Sequence, residues 1–407
     1  MGSRYLSTAQ LQSWFIALDN FLLTQQSFWR ERPFTTRSLA WESQAPELSA
    51  WLRSQSLAHA EHYQAHPTKL IGAPAPYTEL ALLSQQLTQL PASCLRTLSA
   101  RPAYLSRDVP GRKWQQIASL AEAITPIDST AQPHWLDWCA GKGHLARYLA
   151  WPDQAYSCLE YDPKLVAAGQ QLTDKLGLPG QHQCQDVMQP AARELLAGTL
   201  PVALHACGDL HRQLIEGAVE QSVTQLAVVP CCYNRTATEQ YCPLSKLAKA
   251  SLLALSKTDL ALPLQSTVTA NRRETAQRDQ SMAWRLAFDI YQRQVRDVDQ
   301  YLSTPTLGRE WWKQSFAEWC QNLAALKKIA VKPATDWVTL EQQGWQRLAQ
   351  VRNLELVQGL FKRPLELWLL LDLALYLSES GYQVALSTFC PESLTPRNIL
   401  LQAVLKK

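Results

Sequence analysis

The sequence predicts an α/β fold: an open, mostly parallel seven-stranded sheet, with an N-terminal helical domain before it and a helical insertion within it. Three observations lead there. From residue 111 onward, short apolar runs alternate with runs of helical spacing, the rhythm of strands joined by crossover helices. Residues 1–110 carry only the helical spacing, cut by prolines. Residues 235–360 lose the alternation, and it returns between 365 and 405. The expected organisation is therefore an accessory domain over 1–110, then a sheet domain over 111–407 with its insertion at about 235–360.

The elements follow in order. Trp14, Phe15, Leu18, Phe21 and Leu22 recur at three- and four-residue steps, which puts them on one helix face, and Leu48, Trp51 and Leu52 begin a second such face. GRKWQQIASLAEAI (111–124) is a helix. The strand candidates are HWLDWC (134–139), AYSCLEYD (155–162), HQCQDV (182–187), VALHACG (202–208) and QLAVVPCCY (225–233). Between them lie GHLARYLA, PKLVAAGQQLTDKLG, AARELLAG and LHRQLIEGAVEQ, each with helical spacing. Helical runs near 245–257, 274–298, 310–329 and 338–352 bring many tryptophans. A helix over 365–379, then YQVALSTFC and RNILLQAVL, complete seven strands.

Composition narrows the class. With 46% apolar and 18% charged residues, the 407-residue chain folds rather than staying disordered. A net charge of +4 permits a nucleic-acid partner without demanding one. The opening MGSRYLSTAQLQSWF lacks a basic region followed by an apolar block, and the ten cysteines sit scattered, often inside apolar runs. The greasiest stretch, LELWLLLDLALYL, carries Glu366 and Asp372 and is too short to span a bilayer. A reduced, cytoplasmic protein without a membrane partner is the expectation.

DWCAGKGHLARYLA (137–150) holds the first chemical signal. Glycine within an element costs roughly 1 kcal/mol against alanine, so a kept glycine pair needs positive φ or close approach to a ligand. Ligands of open parallel sheets bind beyond the carboxyl ends of the strands. GKGH lacks the spacing and the hydroxyl of a phosphate-binding P-loop. Gly141-Lys-Gly143-His-Leu-Ala146 does satisfy the dinucleotide pattern, with Glu160 at the usual remove of about 20 residues.

S-adenosylmethionine fits more of the residues. Asp137, Cys139, Gly141 and Gly143 match D-x-G-x-G-x-G with cysteine in the first glycine slot, and Ala140 and Lys142 complete the turn. Glu160 ends the second strand, where an acid would take both ribose hydroxyls, with Tyr161 beside it. Asp186, followed by Val187, ends the third, near where the adenine amine would lie. Plain structural roles compete: a helix-start acid for Glu160, a turn for Asp186, a solvated loop lysine for Lys142.

DWCAGKGHLAR, LHACGDL, VPCCYN and LTPRNILL together resemble a methyltransferase family. It includes methyltransferase-25-like, rRNA-adenine-dimethylase-domain-containing and glutathione-S-transferase-C-terminal-domain-containing proteins. The GKG, HACGDL, PCCY and TPRN motifs carry the resemblance, which covers roughly 111–233 and 364–403. The set is similar, more distantly, to eukaryotic tRNA ribose methyltransferases. The resemblance implies a Rossmann-like class I methyltransferase fold, S-adenosylmethionine as donor and RNA as acceptor, with no DNA partner expected. A protein or small-molecule acceptor, or a scaffold that binds the cofactor without turnover, stays open. The fourth strand ends in HACGD rather than Asn/Asp-Pro-Pro-Tyr/Phe, which counts against methylation of a base amine.

Methyl transfer is an in-line displacement, and an acceptor that carries a proton needs a base. His205, Cys207 and Asp209 would share one face if their strand stays extended. His205 and Asp209 are thus candidate catalytic residues, with a core histidine and a helix cap as the plain alternatives. Pro230 stops the next strand, leaving Cys231, Cys232, Tyr233 and Asn234 at the sheet edge. Cys232 and Tyr233 are candidates to position the acceptor, the tyrosine by stacking. A cysteine nucleophile would require an activated thiolate. His205, Cys207, Cys231, Cys232 and Cys242 could converge on a metal, but adjacent cysteines lack the usual zinc spacing, so none is expected.

Overall fold

The computed structural model describes residues 5–124, 133–265 and 272–406. Seven strands form one sheet: β1 (Trp135–Trp138), β2 (Tyr156–Glu160), β3 (Gly180–Cys184), β4 (Leu200–Cys207), β5 (Gln225–Cys231), β6 (Tyr382–Thr388) and β7 (Ile399–Leu405). Their order is β3-β2-β1-β4-β5-β7-β6. The sheet is mixed, where the sequence reading expected a mostly parallel one. β1 to β5 pair in parallel, but β7 lies antiparallel to both β5 and β6. The reason is the connection: residues 389–398 are fewer than the dozen or so a parallel crossover needs.

The described chain divides into two discontinuous units. The first comprises Met1–Thr24, Leu87–Val268 and Lys362–Lys407, and the second Gln25–Gln86 and Thr269–Phe361. The break between Phe361 and Lys362 falls at the expected boundary of about 360, whereas those expected at 110 and about 235 are not followed. Helix Thr8–Thr24 belongs with the sheet because its apolar face packs on helix Lys362–Glu379. Phe15 lies 5.2 Å from the Trp368 ring, and Trp368 Nε1 donates to Asp19 Oδ1 at 2.8 Å. The chain after β5 is tied to that same helix, whose Asp372 is fully buried. Its carboxylate accepts from Tyr241 Oη and from the Leu244 and Ser245 amides.

In the first unit, Ile117 and Leu120 of helix Gly111–Ala123 and Leu145 and Leu149 of helix His144–Ala150 share a core with Trp135, Tyr156, Val202, Val229 and Leu400. That core fixes both helices against the carboxyl end of β1. In the second unit, helices Arg272–Arg296, Phe316–Leu326 and Trp337–Gly359 surround Trp284, Phe288, Phe316, Trp319 and Leu323. Gly344 makes this packing close: an added Cβ there would lie 2.4 Å from the Ala283 carbonyl oxygen. Among the described residues, no helix is long and apolar enough to cross a membrane.

Candidate active site

The turn after β1 is built from residues with positive φ: Cys139 at 59°, Gly141 at 58° and Gly143 at 71°. The two glycines do different work. A Cβ on Gly143 would sit 2.5 Å from His182 Cε1 and 2.7 Å from Cys158 Sγ, so this glycine serves packing. A Cβ on Gly141 would meet nothing within 4 Å. Gly141 instead borders a cavity of about 520 Å³, together with Asp137, Cys139, Ala140 and His144. Arg112, Lys113 and Gln116 from helix Gly111–Ala123, and Leu204 and His205 from β4, supply the opposite wall.

Glu160 joins this turn to the end of β2. Its Oε2 accepts the Gly141 amide at 2.8 Å, and its Oε1 accepts the Asp162 amide at 3.0 Å. A carboxylate offers about four lone-pair sites, so acceptor capacity remains on both oxygens. Asp137 is buried and accepts the Ala146 amide at 3.2 Å. Burial pushes its carboxyl up to about 7, against the opposing effects of that bond and of Lys113 and Arg147. Burial also pushes the Cys139 thiol up to about 12, with Glu160, Asp137 and Asp186 adding to the rise. The acids of three strand ends therefore act on one thiol.

Neither Glu160 nor the remaining cofactor candidates, Tyr161, Asp186, Val187 and Lys142, line that cavity. Asp186 accepts the Met188 amide and Gln189 Nε2, closing a turn after β3, and Val187 is buried beneath it. Tyr161 is 72% exposed. Lys142 is exposed and borders a different cavity, of about 310 Å³, with Asp108, Ala168 and Lys175.

β4 does not stay extended to its end. His205 takes φ 64°, and the register with β5 shifts between Leu204 and Cys207. The expected common face of His205, Cys207 and Asp209 is thereby broken. His205 faces the cavity and hydrogen-bonds Gln116 Oε1 through Nε2 at 3.1 Å. Burial, then Arg397 and Lys113, holds its imidazole down to about 4, so it is neutral at pH 7. Asp209 is the first residue of helix Asp209–Glu220, one position after its N-cap, Gly208. Its carboxylate accepts the Ala237 amide at 2.7 Å, which ties it to the loop after β5 rather than to either cavity wall.

A second cavity of about 610 Å³ shares Arg112, Gln116 and His205 with the first. Its remaining wall includes Cys207, Cys231, Cys232 and Arg397. Cys232 has φ 48°. Its hydrogen bond with Cys231 holds the Cys232 thiol down to about 5, while bonds to Cys207 and Cys232 push Cys231 up. Tyr233 is buried, not at the open edge the sequence suggested; its ring stands edge-on to His211 at 5.7 Å. Burial pushes its hydroxyl well up.

Sequence reasoning missed Gln116 and Arg397 as wall residues. Gln116 gave no signal, since a glutamine in an amphipathic helix looks like any solvated side chain. Arg397 sits in the TPRN motif. Thr395 Oγ1 accepts the Arg397 amide at 3.2 Å, and Asn398 Oδ1 accepts from Arg363 Nη2 at 2.8 Å. The motif therefore shapes the loop between β6 and β7 so that Arg397 reaches the second cavity.

Residues 112–239, which hold this turn and both strand ends, match a family model described as a methyltransferase domain. That match supports a methyltransferase activity. The chain is also similar to the glutathione S-transferase C-terminal domain-containing proteins of Homo sapiens and Macaca fascicularis. Each is 29% identical over 143 residues, which is 34% of this chain. The matched stretch spans 21% of the length of those relatives.

Proposed function

We propose that the chain is a class I, S-adenosylmethionine-dependent methyltransferase whose acceptor is RNA. The observation that carries this reading is the pair of cavities meeting across Arg112, Gln116 and His205 at the carboxyl ends of β1 and β4. The strand order, with β7 antiparallel between β5 and β6, supports the class I assignment. The residues fit the cofactor on two counts: the empty space over Gly141, and a carboxylate on Glu160 whose remaining lone pairs suit a diol.

When bound, the cofactor supplies an electrophilic methyl group on a sulfonium. The protein's residues do the rest. The Gly141 turn, with Glu160 bonded to its amide, would hold the nucleoside end, and Asp137 and Lys113 line the same cavity as Gly141. Holding both reactants in line supplies up to about 7–11 kcal/mol of a barrier. His205, neutral and bonded to Gln116, offers a nitrogen to the acceptor's proton between the two cavities. Arg112 and Arg397 give the second cavity a positive wall suited to a phosphate-bearing acceptor.

Labelled methyl donor, incubated with the purified chain and separate RNA, protein and small-molecule fractions, tests this. Label is expected in RNA. Label confined to protein or small molecules overturns the RNA acceptor, and cofactor binding without turnover in any fraction overturns the enzyme reading.

A further inference from the structure

Cys207 and Cys231 are directly opposed on β4 and β5, with their sulfurs 3.4 Å apart. Cys232 follows the last residue of β5, and in an extended chain its side chain would point to the opposite face from Cys231. Its left-handed φ of 48° undoes that alternation. The shift in β4, with His205 at φ 64°, brings Cys207 level with Cys231. Two residues with side chains thus hold a conformation that costs each about 1–2 kcal/mol. Their combined result is three sulfurs within 4.8 Å of one another.

Tetrahedral zinc with bonds of about 2.3 Å sets its sulfur ligands about 3.8 Å apart, a spacing this cluster accommodates. Of the five residues the sequence offered to a metal, the fold gathers three, with Cys207 arriving from 24 residues upstream of Cys231. Cys231 is buried, while Cys207 and Cys232 are half-buried and border the second cavity. Cys242 is exposed and stays apart, near Thr238 and Gln240.

We propose that Cys207, Cys231 and Cys232 bind one thiophilic divalent cation of the zinc class as three thiolates, with its fourth position open toward the second cavity. Binding displaces to solvent whatever protons the three thiols still hold and forms three metal–sulfur bonds, with no change of oxidation state. Three protein ligands and an open position are the arrangement of catalytic rather than structural zinc sites. The site itself is independent of the methyl-transfer reading; only a role for the cation toward the acceptor rests on it.

The test is a cobalt(II) titration of the full, reduced, chelator-treated chain, its fold checked by circular dichroism. Thiolate-to-cobalt charge-transfer absorption is expected to saturate at one equivalent, and zinc to displace it. Cys207→Ser and Cys232→Ser each weaken cobalt binding by more than an order of magnitude, whereas Cys242→Ser leaves it unchanged. Absence of charge-transfer absorption in the folded wild-type chain overturns the site. So does unaltered binding in folded Cys207→Ser, or a Cys207–Cys231 disulfide as the native state in peptide mapping. None of these readouts involves methyl transfer, so failure here is separable from failure of the enzymatic reading.

Discussion

Gly141 and Gly143 stand two positions apart in one turn and answer to different constraints. Both have positive φ, so alanine at either strains the backbone by about 1–2 kcal/mol. Only at Gly143 does the new carbon also strike packed side chains, His182 and Cys158. Gly143→Ala is therefore expected to lower the melting temperature clearly more than Gly141→Ala. Gly141→Ala, whose Cβ enters the cavity, is expected to weaken cofactor binding more than it weakens the fold. Calorimetric binding and thermal melts on both variants check this; equal melting losses with equal affinities would contradict it. The glycine pair was plain in the sequence, but its division of labour was not, because that depends on His182 arriving from β3. The Asp209 partner was hidden for a similar reason: the Ala237 amide lies on a loop with no sequence signal.

The loop between β6 and β7 carries Arg397 to the second cavity, held by Thr395 and Asn398. If it acts on the acceptor, Arg397→Ala raises KM for acceptor about tenfold or more, the scale of one lost charge-assisted bond. Cofactor affinity is expected to stay within twofold, roughly, since Arg397 does not border the first cavity. An unchanged KM would remove the arginine from the acceptor wall. All seven strands were legible from alternation and turn residues. What escaped was the direction of β7 and the bend in β4. Direction follows from connection length, which the sequence did show. The bend follows from a non-glycine residue, His205, at positive φ, which no residue type announces.

Across the first unit, buried histidines govern the response to acid. Burial holds His144 down to about 3 and His182, His205 and His211 down to about 4. Unfolding lets each take a proton below its ordinary value near 6.5. Stability from these groups is therefore full above pH 6.5 and lost as pH falls toward 4. Asp137 acts the other way: with its carboxyl raised to about 7, it favours the fold at low pH and loses that contribution as pH rises from about 4 to 7. Four histidines outweigh one aspartate, so the melting temperature is expected to drop between pH 6.5 and 4. Asp137→Asn should steepen that drop; melts across the range decide it, and a flat profile would contradict the assignment. The division into units was the least legible feature, because helix Thr8–Thr24 joins the sheet through Phe15 and Trp368, far apart in the chain.

The account depends on a nucleoside held between the Gly141 turn and the Glu160 carboxylate. Titration calorimetry of S-adenosylmethionine into the wild-type chain and Glu160→Gln addresses this most directly. One equivalent is expected to bind the wild type, and the variant to lose about tenfold to a hundredfold in affinity, the worth of hydrogen bonds to a charged group. No binding to the wild-type chain, or equal affinity in a folded Glu160→Gln, would contradict it.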